Sequence, residues 1–322
     1  MSTTEMFKVL AYYAFTKVDD PQKMIKDHKR FLESLEGKGR IYISEEGING
    51  QCSVPASQLE AYSAYVLQNF PKADIKIHDH PAHPFAKLIV KYRVQLVAMD
   101  QKVDMSIQGV HLDSKDWEKM LAEKDDDTIV IDTRNDYEWE VGHFEGALLP
   151  KLDKFREFPE YAADLKKEYD TEKTKVMMYC TGGIRCELYS SLMIKMGFKN
   201  VYQLNGGIIR YGLENGNKKW NGKLFVFDDR MVIPISKDEA EPIAKCQFCS
   251  KPADNYYNCA NMDCNDLILS CPECIEAKKG CCSETCLEEG RVRPFSLATV
   301  KTPFRKLSHE AKQALTKDKQ VV

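Results

Sequence analysis

Cys180-Thr-Gly-Gly-Ile-Arg185 follows the apolar run Lys175-Val-Met-Met-Tyr179 and precedes a segment in which Ile184, Leu188, Ser191, Leu192 and Met196 share one helical face. The pattern predicts a buried strand, a tight glycine loop opening on a cysteine, and a helix. In such a turn successive backbone N–H groups and the helix N-terminus converge on one spot, where any anion, a thiolate included, is stabilised. Cys180 is therefore expected to titrate below the roughly 8.5 of a free thiol and to be nucleophilic at neutral pH. The plain alternative is a core cysteine at a strand end, and Gly182, Gly183 and Arg185 around it speak against that.

Outward from this loop, the surrounding pattern alternates strand and helix. Residues 114–123 read as a short helix capped by Ser114, with Trp117, Met120 and Leu121 inward. Thr128-Ile-Val-Ile-Asp132 has a β-branched run without polar alternation, as in a parallel strand covered on both faces. Asp132-Thr-Arg-Asn-Asp-Tyr-Glu-Trp139 and Gly142-His-Phe-Glu-Gly-Ala147 follow it, and Asn200-Val-Tyr-Gln-Leu204 is a further strand before Asn205-Gly-Gly207 opens another helix. Residues 109–225 are thus expected to form an α/β domain with sites at the carboxyl ends of its strands, where Cys180 falls.

Residues 1–100 read as a domain of their own. A strand at 7–15, a helix at 21–35 begun by Asp19 or Asp20 and Pro21, strands at 40–43 and 50–54 joined through Ser44-Glu-Glu-Gly-Ile-Asn49, a helix at 56–70 and strands at 74–78 and 88–92 give the split βαβ order of a ferredoxin-like α+β sandwich. His78, His80 and His83 read as a metal site or as a solvated loop, and Lys87, Lys91 and Arg93 as a solvated row or a phosphate contact.

Nine of the twelve cysteines lie between Cys246 and Cys286, against three (Cys52, Cys180, Cys186) before them. Two CxxC pairs, Cys246/Cys249 and Cys271/Cys274, have the spacing of a structural zinc site, since each pair offers two thiolates on one knuckle. Cys259, Cys264, Cys282 and Cys286 form a second, interleaved set in which Cys281 can replace Cys282. Disulfides or free thiols are the alternative to zinc in this segment, 240–290. The remaining 291–322 turn basic, with Arg291, Arg293, Lys301, Arg305, Lys306, Lys312, Lys317 and Lys319, and read as a solvated terminus or a phosphate-binding tail.

At 322 residues the chain has room for two or three domains, and its net charge of −3 gives no general sign of a nucleic-acid partner. The opening Met1-Ser-Thr-Thr-Glu5 and the lack of any long apolar stretch point to a cytoplasmic protein without a membrane span.

Taken together, Asp132-Thr-Arg134, Gly142-His-Phe-Glu-Gly-Ala147, Tyr179-Cys-Thr-Gly-Gly-Ile-Arg185 and Leu204-Asn-Gly-Gly207 resemble a rhodanese domain. The resemblance implies that Cys180 carries a persulfide and that Thr181, Gly182, Gly183, Ile184 and Arg185 cradle it. It also implies that Asp132 and Arg134 support the loop and that His143 gives structural support. A tyrosine-phosphatase loop has one residue more between its Cys and Arg, so that activity is disfavoured. With the ferredoxin-like domain, its Ser44-Glu-Glu-Gly-Ile-Asn-Gly50 and the Cys-rich segment, the whole layout resembles the rhodanese-like tRNA uridine(34) hydroxylases. That resemblance implies oxygen-dependent formation of 5-hydroxyuridine in a tRNA anticodon arm, with molecular oxygen and a reductant as co-substrates. A sulfurtransferase and a non-catalytic RNA-binding protein are the two alternatives. No flavin, haem or two-His-one-carboxylate iron motif is legible. Cys186 has two readings, a resolving thiol for Cys180 or a small core residue of the helix.

Overall fold

The computed structural model describes residues 6–152 and 154–297. Among these residues two compact units result: one holds residues 6–228 together with Ile233–Glu241, the other Asp229–Val232 and residues 242–297.

The first unit begins with β1 (Phe7–Phe15), α1 (Pro21–Ser34), β2 (Lys38–Ser44), β3 (Gly47–Pro55), α2 (Leu59–Asn69), β4 (Lys76–His80) and β5 (Leu88–Tyr92). Asp20 caps α1 through its carboxylate, which accepts from the Lys23 N–H at 2.9 Å, and Pro21 opens the helix. The sheet order β4-β1-β3-β2-β5 is that of a ferredoxin-like sandwich with an extra edge strand, β5, parallel to β2. The hairpin β2–β3 is longer and its turn tighter than the sequence pattern suggests. Ser44 pairs directly with Gly47, whose φ of 144° and approach to the Ala14 carbonyl leave no room for a Cβ.

Alternation along these strands divides the sheet into two faces. Leu10, Tyr12, Ile41, Ile43 and Val54 pack against Leu32, Tyr62 and Val66 of the helices. The intervening residues Tyr13, Arg40, Tyr42 and Gln51 face a cavity. The strand expected at 74–78 lies two residues later, which puts Lys76 at its start. His78, His80 and His83 do not converge on a metal: His83 Nδ1 instead meets Ser53 Oγ at 2.7 Å.

The same unit continues with β6 (Val110–Leu112), α3 (Ser114–Ala122), β7 (Thr128–Asp132), α4 (Asp136–Trp139), β8 (Gly142–Phe144), α5 (Phe158–Glu168), β9 (Lys175–Tyr179), α6 (Ile184–Lys195), β10 (Asn200–Leu204), α7 (Gly207–Asn215) and β11 (Trp220–Gly222). β6, β10, β9 and β7 form a parallel sheet in that order. β7 and β9 are buried on both sides: Ile129, Ile131, Val176 and Met178 enter one core, Val130, Met177 and Tyr179 the other, while the edge strand β6 is exposed. Two details differ from the sequence reading. Asp113, not Ser114, caps α3, accepting from the Lys115 and Asp116 N–H groups at 2.9 Å. Gly142–Phe144, read only as a motif, is a short strand paired with β11. Among the described residues no helix is long and apolar enough to cross a membrane.

Helix α6 is buried from Arg185 to Met193 on all sides rather than along one face. Its polar side is covered by the first sheet, from which the Tyr13 hydroxyl donates to Glu187 Oε1 at 2.7 Å.

At the start of α7 the backbone runs against the cysteine loop. The Ile208 and Ile209 N–H groups donate to the Cys180 and Thr181 carbonyls at 3.0 and 3.1 Å. Gly207, at φ +66°, has no space for a side chain, since a Cβ would lie 2.6 Å from the Cys180 carbonyl oxygen. The variant Gly207→Ala is therefore expected to lose about 1–3 kcal/mol in denaturant unfolding through overpacking and backbone strain. Gly182→Ala, which meets nothing within 4 Å, is expected to unfold close to the parent.

Candidate active site and cysteine clusters

Cys180 follows directly on β9, and the turn to α6 is made by Gly183 at φ 102°, a conformation suited to glycine. The Gly183 N–H donates to Cys180 Sγ at 3.1 Å. Burial alone would raise the pKa of Cys180, but a hydrogen bond from the Cys186 thiol, the Arg185 charge and the Arg185 and Gly183 backbone N–H groups outweigh it and bring it down to about 6. Cys186 moves the opposite way: burial first, then the neighbouring Cys180, push it well above the ordinary thiol value. The pair thus holds one negative charge, on Cys180, with Cys186 as the protonated donor.

The loop is held from behind by a buried polar lattice. Arg185 Nη1 and Nη2 donate to Glu138 Oε1 and Oε2 at 2.6 and 2.8 Å, and Thr181 Oγ1 donates to Glu138 Oε2 at 3.2 Å. Glu138 also accepts the Asn135 N–H at 3.1 Å, which completes a capping box at the start of α4. Arg134 is fully buried and donates to both Asp132 carboxylate oxygens, at 2.8 and 2.6 Å, and to the Gly142 carbonyl at 2.6 Å. His143 sets its Nδ1 against the Trp139 carbonyl at 2.9 Å, within the scaffold. Thr133 Oγ1 donates to the Tyr179 carbonyl at 2.9 Å and lies 3.6 Å from Cys186 Sγ.

Three residues at the site were not singled out from the sequence. Glu138 had a local signal, the Asn-x-x-Glu spacing of a capping box. Tyr13 and Lys76 had none, because they come from the first sheet. Lys76 Nζ donates to the Gly182 carbonyl at 3.0 Å and pairs with Asp74 at 3.0 Å. Tyr13 and Lys76 border a cavity of about 870 Å³ that reaches from Cys180, Thr181 and Arg185 to Arg40, Tyr42 and Arg93. Its size lies within the roughly 300–1,000 Å³ of small-molecule sites.

The second unit carries the cysteine clusters. In the first, the sulfurs of Cys246, Cys249, Cys271 and Cys274 lie within 4.8 Å of one another, with Cys249 and Cys271 3.7 Å apart. In the second, Cys259, Cys264, Cys282 and Cys286 meet the same limit, with contacts of 3.7 and 3.5 Å. Four thiolates at a metal–sulfur distance of about 2.3 Å stand about 3.8 Å apart along each edge of a tetrahedron, so either cluster could hold a metal ion. All twelve cysteines are free thiols, and Cys281 stands outside both clusters, its sulfur toward the Cys286 carbonyl. The basic-tail reading needs correction at its start. Arg291 pairs with Asp263, and Arg293 is buried, donating to the Cys259 carbonyl at 2.7 Å. Lys301, Arg305, Lys306, Lys312, Lys317 and Lys319 lie outside the described residues.

Residues 7–96 match the UPF0176 acylphosphatase like domain, 114–212 the rhodanese-like domain and 221–287 the rhodanase C-terminal domain. A tRNA uridine(34) hydroxylase of Protochlamydia amoebophila (strain UWE25) is 50% identical over 318 residues, 98% of this chain and 99% of the relative. The chain belongs to the tRNA uridine(34) hydroxylase family. Hydroxylases of Chlamydia felis (strain Fe/C-56) and Chlamydia trachomatis serovar D are 51% and 50% identical, covering 94% and 93% of this chain and 93% and 92% of the relatives. This family member therefore shares with them both the acylphosphatase-like and the rhodanese-like domain over nearly their full length.

The lowered Cys180 value has a direct readout. Alkylation of Cys180 by iodoacetamide, followed by peptide mass, is expected to rise with pH through a midpoint of about 6 in the folded protein. In the unfolded chain the midpoint is expected at about 8.5. Because the folded value is the lower one, the thiolate's contribution to stability is complete above the unfolded midpoint and is lost as pH falls through the folded one. A folded midpoint at or above the ordinary thiol value would contradict this account.

Proposed function

We propose that this chain hydroxylates uridine at position 34 of tRNA in the cytoplasm, using molecular oxygen, with Cys180 as the reacting thiolate. The observation that carries the reading is the cavity joining a nucleophilic thiolate to tyrosines and arginines, in a chain half identical to named hydroxylases. An unpaired anticodon base is accessible at little unstacking cost, and aromatic rings are general partners for such a base. Tyr13 and Tyr42 line the same cavity as Cys180, and Arg93 lies over the Tyr42 ring at 4.9 Å, where a guanidinium suits a nearby phosphate. Thr181, Gly182, Gly183, Ile184 and Arg185 would hold the thiolate. Asp132, Arg134, Glu138 and His143 would fix the scaffold behind it.

A strain lacking this gene and any redundant hydroxylase supplies the test. Wild-type protein is expected to restore 5-hydroxyuridine in its tRNA nucleosides, and Cys180→Ala to leave it absent. Full restoration by the variant removes Cys180 from the chemistry. Thiocyanate formation from thiosulfate and cyanide, without restoration by either protein, favours a sulfurtransferase.

The cysteine clusters are proposed to hold structural zinc, one ion on Cys246, Cys249, Cys271 and Cys274 and one on Cys259, Cys264, Cys282 and Cys286. The all-sulfur donor sets and their spacing support this choice. Elemental analysis is expected to find about two zinc ions per chain and about one in Cys271→Ser. An unchanged metal content in that variant, or disulfides in place of metal, would oppose the proposal.

A further inference from the structure

Hydroxylation by dioxygen leaves an electron account to close. Converting a uracil C5–H bond to C5–OH uses one oxygen atom of dioxygen. The other must take two electrons and two protons to become water.

Two thiols lie where those electrons are needed. Cys180 borders the cavity, and Cys186 lies buried in the first turn of α6, with Gly183 between them donating its N–H to the Cys180 sulfur at 3.1 Å. Thr133 Oγ1 lies beside the Cys186 sulfur at 3.6 Å, and the Cys186 N–H donates to the Gly183 carbonyl at 3.0 Å, which ties the residue to the same loop. Cys180 and Cys186 stand six residues apart on the two sides of one glycine turn, a spacing that allows their sulfurs to close to the roughly 2.05 Å of a disulfide.

We propose that Cys180 and Cys186 form a dithiol that supplies the two electrons of the hydroxylation and leaves the reaction as a disulfide. This deepens the proposed function and rests on it. The chemistry starts from a uracil whose C5–H has taken up dioxygen as a hydroperoxide: the C–H bond is replaced by a C–O bond, the hydrogen ends on the outer oxygen, and C5 gives up the two electrons that bring dioxygen to the peroxide level, so no outside reductant enters this step. The Cys180 thiolate attacks the outer oxygen. An S–O bond forms, the O–O bond breaks, and the 5-oxygen leaves with the electron pair and takes a proton from solvent. Cys180 is then a sulfenic acid. Cys186 attacks its sulfur: an S–S bond forms, the S–O bond breaks, and the departing hydroxide takes the Cys186 proton as water. The sum is uridine, dioxygen and two thiols giving 5-hydroxyuridine, water and one disulfide. A dithiol reductant from outside then reopens the disulfide for the next turnover.

The test uses the full-length, metal-loaded protein, reduced and then freed of reductant without air, mixed with excess unmodified tRNA and exposed to dioxygen. Trypsin cuts after Arg185, between the two cysteines, so the disulfide joins two peptides that otherwise separate. Up to about one 5-hydroxyuridine per chain is expected, with an equal fraction of chains carrying the Cys180–Cys186 link, and continued turnover only when a dithiol is added. Cys186→Ser is expected to trap the Cys180 sulfenic acid with dimedone and to turn over about tenfold slower at limiting dithiol. The wild-type peptide readout stands independently should that variant fold poorly. Product formed with both thiols still free, or Cys186→Ser turning over like wild type without a sulfenic acid, overturns this inference and leaves the hydroxylase reading intact. Absence of product with every reductant removes both.

Discussion

The Glu138 carboxylate has no exposed surface, and the geometry of the cysteine loop depends on it. A charge buried without a partner costs several kcal/mol, and losing one partner of a buried pair typically costs about 3–5 kcal/mol. Here both oxygens are taken: one by Arg185 and the Asn135 N–H, the other by Arg185 and Thr181. The forked guanidinium fixes the first turn of α6, and the capping contact fixes the start of α4. The cysteine turn that leads into α6 is thereby braced against α4. Asp132 and Arg134 repeat the arrangement one layer deeper. Asp132 and Glu138 thus offset Arg134 and Arg185. The thiolate is left to the loop N–H groups, the Cys186 thiol and the residual field of Arg185, with Lys76 anchored nearby on the Gly182 carbonyl.

Much of this was legible locally. A strand–glycine loop–helix pattern is a short-range signal, and so are the CxxC spacings and the Asp20-Pro21 helix start. Each rests on residues within a few positions of one another. The Asn205-Gly-Gly207 motif was legible as a helix start, but its reason is long-range. Gly207 is small because the carbonyls of Cys180 and Thr181 occupy the space its side chain would need. The Ser114 cap shows the opposite limit. Asp and Ser at successive positions compete for one role, and the carboxylate of Asp113 reaches two N–H groups where a hydroxyl would serve fewer.

What the sequence did not reveal came from chain segments brought together by folding. Helix α6 looks amphipathic when read alone, because Glu187 and Ser190 lie off the face that carries Ile184, Leu188, Ser191, Leu192 and Met196. In the structure that side is covered, and its polar groups are answered rather than solvated: Glu187 by Tyr13 and His111, Ser190 by the Gly109 N–H. Arg293 was misread for the same reason. Counted among basic neighbours it looks like tail charge, yet its guanidinium satisfies the carbonyls of Cys259 and Ala260 beside a metal-type cluster. A net charge count does not distinguish a solvated cation from one used as a hydrogen-bonding brace.

The acylphosphatase-like domain is thus part of the site's construction. Its sheet spends one face on its own helices and turns the alternate residues toward the cysteine loop, so a two-residue period along β1 and β2 becomes a row of Tyr13, Arg40 and Tyr42 across from Cys180. Two contacts fix this arrangement: Tyr13 on Glu187, and Lys76 on the Gly182 carbonyl. Lys76 is itself buried and held by Asp74, which also pairs with Arg210 of α7. That chain of ion pairs runs from the first sheet to the helix whose N-terminus packs on the loop. A rhodanese-like domain alone would keep the cradle and the thiolate but lose the aromatic and cationic wall opposite. The cradle accounts for a lowered thiol pKa, and the wall sets tyrosine rings and arginine charges across the cavity from it.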